Sequence, residues 1–139
     1  MATEEDLKGI AALEQECFSE PWSLQGLRDS MDEGTLFLVC KQLERVLGYV
    51  GLNTVLDEGY ITNLAVTKES RRQGIGSVLL SALEQVAGEK GLSFITLEVR
   101  RSNTGAQALY NKFGYERVGE RKGFYTNPKE DAILLTRKF

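Results

Sequence analysis

The chain predicts one α/β domain over residues 1–139, an α+β arrangement of three layers with a mixed central β-sheet flanked by helices, and three observations carry this. Two helix-spaced segments precede three strand-like runs, after which helix and strand alternate, giving the order ααβββ and then αβαββ. Hydrophobic residues make up 42% and charged residues 27%, ordinary usage for a globular chain. A length of 139 residues suffices to bury roughly two-thirds of the unfolded surface. No internal repeat, low-complexity tract or linker interrupts the pattern.

Thr3 and Asp6 form a capping pair, and Glu4 and Glu5 suit a helix amino end. Leu7, Ile10, Leu13 and Cys17 recur at helical spacing, which predicts a first helix as far as about Phe18. Ser19-Glu20-Pro21-Trp22 interrupts it, and Ser23 caps a second helix through Leu24, Leu27 and Met31, ended by Gly34. Residues 35–42 and 46–55 are β-like, and the short Leu43-Glu44-Arg45 link makes them a hairpin. A third run, 59–66, follows a turn at Asp57-Glu58-Gly59. Residues 67–76 are polar and glycine-bearing, and lead into an amphipathic helix through Val78, Leu79, Leu83 and Val86 that stops near Gly88 to Gly91. Residues 93–99 read as a strand with Ile95, Leu97 and Val99 on one face and Phe94, Thr96 and Glu98 on the other. Residues 103–113 read as a helix with Ala106, Leu109 and Tyr110 on one side and Gly114 as its stop. Residues 115–125 and 132–139 read as two closing strands.

Histidine is absent. That removes Ser-His-Asp and Cys-His nucleophilic machinery and every zinc site that needs imidazole, so no metal is expected. Any proton transfer falls to carboxylates, Tyr, Cys, Lys or water. Seventeen basic residues against 20 acidic ones leave a charge of −3, without the basic excess that nucleic acid demands. The same mild acidity suits a cationic substrate or plain solubility. Cys17 and Cys40 lie far apart without CxxC spacing and read as small hydrophobes in a reduced setting. The amino terminus, Met-Ala-Thr-Glu-Glu-Asp, lacks the apolar run of a signal peptide. No stretch approaches the ~20 apolar residues of a membrane helix, so a cytoplasmic protein with no membrane partner is expected. The oligomeric state stays open, a monomer being admissible.

The most informative stretch is Arg71-Arg72-Gln73-Gly74-Ile75-Gly76-Ser77, between a strand and a helix. Glycine at 74 and 76 lets backbone approach a ligand, the first-turn N–H groups favour a pyrophosphate, and Arg71 and Arg72 add positive charge. Neither the Walker A string nor GxGxxG is present, since Leu79 stands where the third glycine would be. Taken alone, the turn reads more readily as a tight helix start than as a ligand loop.

In its context, Arg-x-x-Gly-x-Gly resembles the acetyl-CoA pyrophosphate loop of the GCN5-related N-acetyltransferases, and Asn63-Leu64-Ala65-Val66 resembles that family's central bulged strand. The resemblance covers nearly the whole chain. It is closest to the RimI-type group, which acetylates the amino-terminal alanine of a ribosomal protein. The residues that carry it are Phe18-Ser19-Glu20-Pro21-Trp22-Ser23, Leu97-Glu98-Val99-Arg100, Ser102-Asn103, Ala108-Leu109-Tyr110, Gly114-Tyr115 and Glu130-Asp131-Ala132.

The resemblance implies a sheet that opens like a V, with acetyl-CoA as co-substrate between strands 61–66 and 94–99. Backbone at Leu64, Ala65 and Val66 would meet pantetheine, and amides from Arg71, Arg72, Gln73, Gly74, Ile75, Gly76 and Ser77 the pyrophosphate. Glu98 would be the general base; on sequence alone it is equally a carboxylate paired with Arg100 or Arg101. Tyr110 would protonate the departing thiolate, a task that suits a phenol; alternatively it is a core aromatic with its hydroxyl tied off. Asn103 is a helix cap that the resemblance also places against the cofactor. Pro21 and Trp22 either lid the core or wall the acceptor groove, with Tyr60, Phe124 and Tyr125 as further groove candidates. Glu130 and Asp131 either meet a basic peptide or cap a turn. The expected partner is a protein or peptide amino terminus, that of ribosomal protein S18. The alternatives are a small-molecule N-acetyltransferase of the same fold and a non-catalytic acetyl-CoA-binding module.

Overall fold

Capping and hydrophobic spacing set the first layer. The computed structural model describes residues 2–71 and 73–139. Helix α1 spans Glu4–Cys17; Thr3 and Asp6 close the predicted capping box, and Leu7, Ile10 and Leu13 form its buried stripe. Helix α2 spans Leu24–Asp32, with the Ser23 hydroxyl accepting from the Gly26 amide at 3.0 Å. Strands β1 (Leu36–Gln42), β2 (Arg45–Val55) and β3 (Glu58–Val66) follow as an antiparallel meander. A 3₁₀ turn at Lys68–Ser70, inside the segment expected to be loop, leads to α3 (Ile75–Lys90). Strand β4 (Phe94–Arg100), helix α4 (Thr104–Lys112) and strands β5 (Glu116–Tyr125) and β6 (Glu130–Lys138) complete the chain. Each predicted helix and strand is present, with ends within one or two residues of expectation.

The six strands form one mixed sheet in the order β1-β2-β3-β4-β6-β5. Helices α1 and α2 cover one face over Phe37, Tyr49 and Ala65. Helices α3 and α4 cover the other over Leu52, Ile61, Ile95, Leu97 and Ile133. On β4 the predicted alternation holds: Ile95, Leu97 and Val99 are buried and the residues between them are partly exposed.

Two irregularities position the site. Strands β3 and β4 run parallel and pair only at Glu58–Phe94, Gly59–Ile95 and Tyr60–Thr96. The predicted opening therefore starts at Ile61 and Leu97; residues 94–96 are zipped to β3 and take no part in it. The second irregularity is a bulge in β3. Gly51 pairs with Asn63 and Leu52 with Ile61, which leaves Thr62 as an extra residue.

Candidate active site

A cavity of about 460 Å³ fills the gap where β3 and β4 part. Its walls bring together eight of the residues singled out in the sequence, Leu64, Glu98, Asn103, Tyr110, Trp22, Tyr60, Phe124 and Tyr125, while Ala65, Val66 and the described residues of the 71–77 segment lie outside the lining. Ile61, Thr62, Asn63, Leu97, Val99 and Arg100 complete the strand edges.

Glu98 lies on β4, on the face opposite Leu97 and Val99, and the Tyr60 hydroxyl donates to its Oε2. Neither Arg100 nor Arg101 pairs with it. Arg100 donates to the Thr126 and Pro128 carbonyls, each at 2.9 Å, and to Glu130 at 3.2 Å. Arg101 donates to Glu120 at 2.9 Å. Among the described residues, then, Glu98 faces the cavity without an ion-pair partner. Burial, and then the hydrogen bond to Glu98, push the Tyr60 phenol above its usual range, so this group stays a donor.

Tyr110 approaches from the opposite side. It projects from α4, is 4% exposed, and packs edge-on against Tyr115 with ring centroids 5.4 Å apart. No described residue hydrogen-bonds to its hydroxyl, and no buried side-chain polar atom is left unpaired among the described residues; the oxygen therefore opens on the cavity. The ring is core and its hydroxyl is not tied off. Burial, with Tyr115 and Tyr125 nearby, pushes this phenol up as well.

Asn103 caps α4, its Oδ1 accepting from the Ala106 amide at 3.1 Å, while the same side chain lines the cavity. The α1–α2 loop supplies Phe18, Ser19, Glu20 and Trp22 to the opposite wall. Glu20 accepts from the Thr126 hydroxyl and, at 3.2 Å, from Asn127 Nδ2, so this loop meets the β5–β6 loop across the cavity.

The glycine-bearing segment divides into different jobs. Gly74 takes φ +80° as the amino cap of α3, and a Cβ there would meet open space. No side chain caps this helix, and its first internal bond comes from the Val78 amide to the Gly74 carbonyl at 3.0 Å. The amides of Ile75, Gly76 and Ser77 thus lack helical partners. At Gly76 a Cβ would sit 2.7 Å from Leu109 Cδ2, so the missing side chain also makes room for Leu109 of α4. Arg71 departs from expectation. Its Nε donates to the Val66 carbonyl at 3.3 Å and its Nη2 to Cys17 Sγ at 3.5 Å, so the side chain lies along the end of β3. Arg72 lies outside the described residues. Cys17 is more than a small hydrophobe: its thiol donates to the Val66 carbonyl at 3.5 Å, and burial holds its pKa up. Gln73 donates its amide to the Ser70 carbonyl at 3.3 Å, closing the loop before α3.

Glu130 and Asp131 are used internally, Glu130 on the turn that leads into α4. Glu130 accepts from Arg100 and from the Ser102 amide, and Asp131 from the Gly123 amide at 2.9 Å. Together with the Arg100 guanidinium, 4.5 Å from the Tyr125 ring centroid, they brace the wall that carries Phe124 and Tyr125.

One role and one participant are not legible in the sequence: the role of Tyr60, which the sequence offers only as a groove candidate, and Glu14. Tyr60 orients the Glu98 carboxylate, which needs the pairing of β3 with β4 to be known. Glu14, on the buried stripe of α1, has no exposed surface and accepts three hydrogen bonds. Its only sequence signal is an acidic residue beside Leu13 on a helix's apolar side.

No helix is long and apolar enough to cross a membrane among the described residues. A Haemophilus ducreyi protein described as [ribosomal protein bS18]-alanine N-acetyltransferase is 33% identical over 95% of this chain and 93% of its own length. The crystal structure of the ribosomal-protein-S18-alanine N-acetyltransferase from Escherichia coli superposes with a TM-score of 0.91 at 31% identity, over 99% of this chain and 90% of that one. A GNAT family acetyltransferase from Elizabethkingia anophelis, solved with acetyl-CoA bound, gives a TM-score of 0.72 at 27% identity over 81% of this chain and 82% of its own. With the sequence pattern of the Acetyltransferase (GNAT) family matched over residues 7–115, the splayed sheet and its two facing side chains have one family context, and the chain belongs to that family.

Proposed function

We propose that the chain is an acetyl-CoA-dependent N-acetyltransferase whose acceptor is a protein amino terminus, the amino-terminal alanine of ribosomal protein S18, with residues 1–139 as one catalytic domain working in the cytoplasm. One observation carries the reading: Glu98 and Tyr110 reach the same opening from opposite faces of the sheet, with the splayed strand edges between them.

The residues present fit the co-substrate. The amides at 75–77, which have no helical partner among the described residues, and the open, left-handed Gly74 suit a pyrophosphate, with Gln73 and Arg72 in the same loop. Beyond Tyr60, the β3 edge at Leu64, Ala65 and Val66 has no pairing with β4, which suits the amide-bearing arm. Arg71 and Cys17 occupy the Val66 carbonyl, so Leu64 offers the freer acceptor. Asn103 stands at the α4 end of the opening. Acetyl-CoA supplies an activated acyl group on a good leaving thiol.

This chain's own groups supply the proton steps. Glu98, oriented by Tyr60, accepts a proton from the acceptor amine, directly or through water. An amide of the bulged strand polarises the acyl carbonyl. Tyr110, kept protonated by burial, donates to the departing sulfur. Histidine is absent, so a pH–rate profile reports a carboxylate or the acceptor amine without an imidazole.

The test is mass spectrometry of peptides beginning with Ala, Ser, Met or a blocked residue, each followed by basic residues, after incubation with protein and acetyl-CoA. The Ala peptide is expected to gain one acetyl group with equimolar thiol release, and the blocked peptide none. Turnover of a polyamine or free amino acid in its place overturns the acceptor assignment. Binding of CoA without any turnover overturns the enzyme assignment.

A further inference from the structure

We infer that Glu14 is a positioning residue for the acceptor: a fully buried carboxylate that holds two walls of the cavity in register without touching substrate. The inference rests on the acetyltransferase reading above and assigns a group that reading does not use. Glu14 Oε1 accepts from the Trp22 amide at 2.9 Å. Its Oε2 accepts from the Tyr49 hydroxyl at 2.6 Å and from Asn63 Nδ2 at 3.0 Å. The donors come from three places, the α1–α2 loop, β2 and β3, and all converge on one side chain of α1.

Two of these donors belong to the cavity wall. Trp22 and Asn63 line it, whereas Tyr49 is sealed in the core beneath α1. Both lining residues sit on the sheet face that carries α1 and Glu98, away from Tyr110 and the start of α3. The network therefore holds the acceptor side and leaves the phosphate-facing helix alone. A leucine would fill a buried site on α1 at lower desolvation cost. A carboxylate with three donors adds something packing does not: it fixes the distance between the Trp22 backbone and the Asn63 side chain.

The test uses the full chain with an Ala-initiated peptide and acetyl-CoA, and compares Glu14→Asp, Glu14→Gln and Tyr49→Phe. Asp withdraws the carboxylate by about 1.5 Å and cannot keep all three donors. Acceptor KM is expected to rise about fivefold in Glu14→Asp while acetyl-CoA KM changes less than about twofold. Glu14→Gln is expected to recover most of the loss, because an amide can accept from Trp22, donate to the Tyr49 oxygen and meet a turned-over Asn63 amide. Tyr49→Phe loosens the same network without a cavity contact and is expected to leave both KM values within about twofold. Each variant is assayed well below its own melting temperature, which separates binding effects from unfolding. An equal rise in both KM values, an unchanged acceptor KM in Glu14→Asp, or an equal acceptor KM rise in Tyr49→Phe overturns the inference. If the unmodified chain fails to turn over any peptide, the acetyltransferase reading fails instead.

Discussion

Tyr60 and Asn63 point to the same face of β3 although they stand three positions apart, because the extra residue at Thr62 resets the alternation. Without the bulge one of the two would turn toward α3. With it, Tyr60 reaches Glu98 and Asn63 reaches Glu14 from a single strand face. The strand thereby supports the candidate base and the acceptor wall at once.

Replacing Glu98 by Gln is expected to lower kcat by about 10²–10³-fold, the range for loss of a positioned base. Folding should survive, since the Gln carbonyl can still accept from Tyr60 and no ion pair among the described residues is broken. Tyr60→Phe keeps the base but frees its orientation, so its loss should be smaller, about tenfold. Thiol-release kinetics alongside thermal melting check both. A Glu98→Gln protein that retains full kcat would remove Glu98 from the chemistry.

Tyr110→Phe separates function from stability. The hydroxyl has no hydrogen-bond partner among the described residues, so its removal should leave the melting temperature nearly unchanged while the ring keeps its place against Tyr115. If the phenol donates the proton to sulfur, kcat falls by about 10²-fold. A marked drop in melting temperature with kcat intact would reverse the assignment and make Tyr110 purely structural.

Much of this arrangement was written in local sequence, and the rest was not, for identifiable reasons. The Thr3–Asp6 capping box, the Ser23 and Asn103 caps and the alternation across Phe94–Arg100 depend on residues a few positions apart, and each appears as expected. Glu98 and Tyr110 are singled out by a resemblance to family motifs, and the fold brings both to the cavity. The bonds of Glu98 to Tyr60 and of Glu14 to Asn63 join residues 38 and 49 positions apart, and no local pattern encodes them. Gly76 shows a second reason of the same kind: its missing side chain also makes room for Leu109, a contact visible only once α3 and α4 are packed.

Alkaline pH should destabilise the protein through its buried phenols. Tyr49 and Tyr110 are 1% and 4% exposed, and burial raises both phenols above the ordinary value of 10.0. In the unfolded chain they ionise near pH 10, while in the folded chain they stay neutral. The unfolded state thus binds fewer protons above that pH, and stability falls by about 1.4 kcal/mol per pH unit for each group until the folded phenol itself titrates. Below pH 10 this contribution is fully present. Urea titrations at pH 8, 10 and 11 should show the drop, and Tyr110→Phe should flatten it. A midpoint unchanged between pH 8 and 11 would contradict the burial of these phenols.

Gly76→Ala tests the helix contact. The new methyl meets Leu109 Cδ2 at 2.7 Å, too close to remain, so α3 and α4 must part or Leu109 must leave its rotamer. The expected cost is below about 1 kcal/mol, because the crowded atom is the far end of a half-buried leucine that can turn away. Leu109→Ala alone is destabilising through a cavity, but combined with Gly76→Ala the two changes compensate, because the added methyl occupies part of the space the leucine vacates. The double-mutant cycle should therefore show the pair costing less than the two single changes added together. Gly74→Ala is the matched control: it meets no atom within 4 Å, so its cost arises from φ +80° alone and Leu109→Ala should not relieve it. Additive costs for the 76/109 pair, or relief of Gly74→Ala by the same partner, would show that the α3–α4 contact is not what excludes a side chain at Gly76.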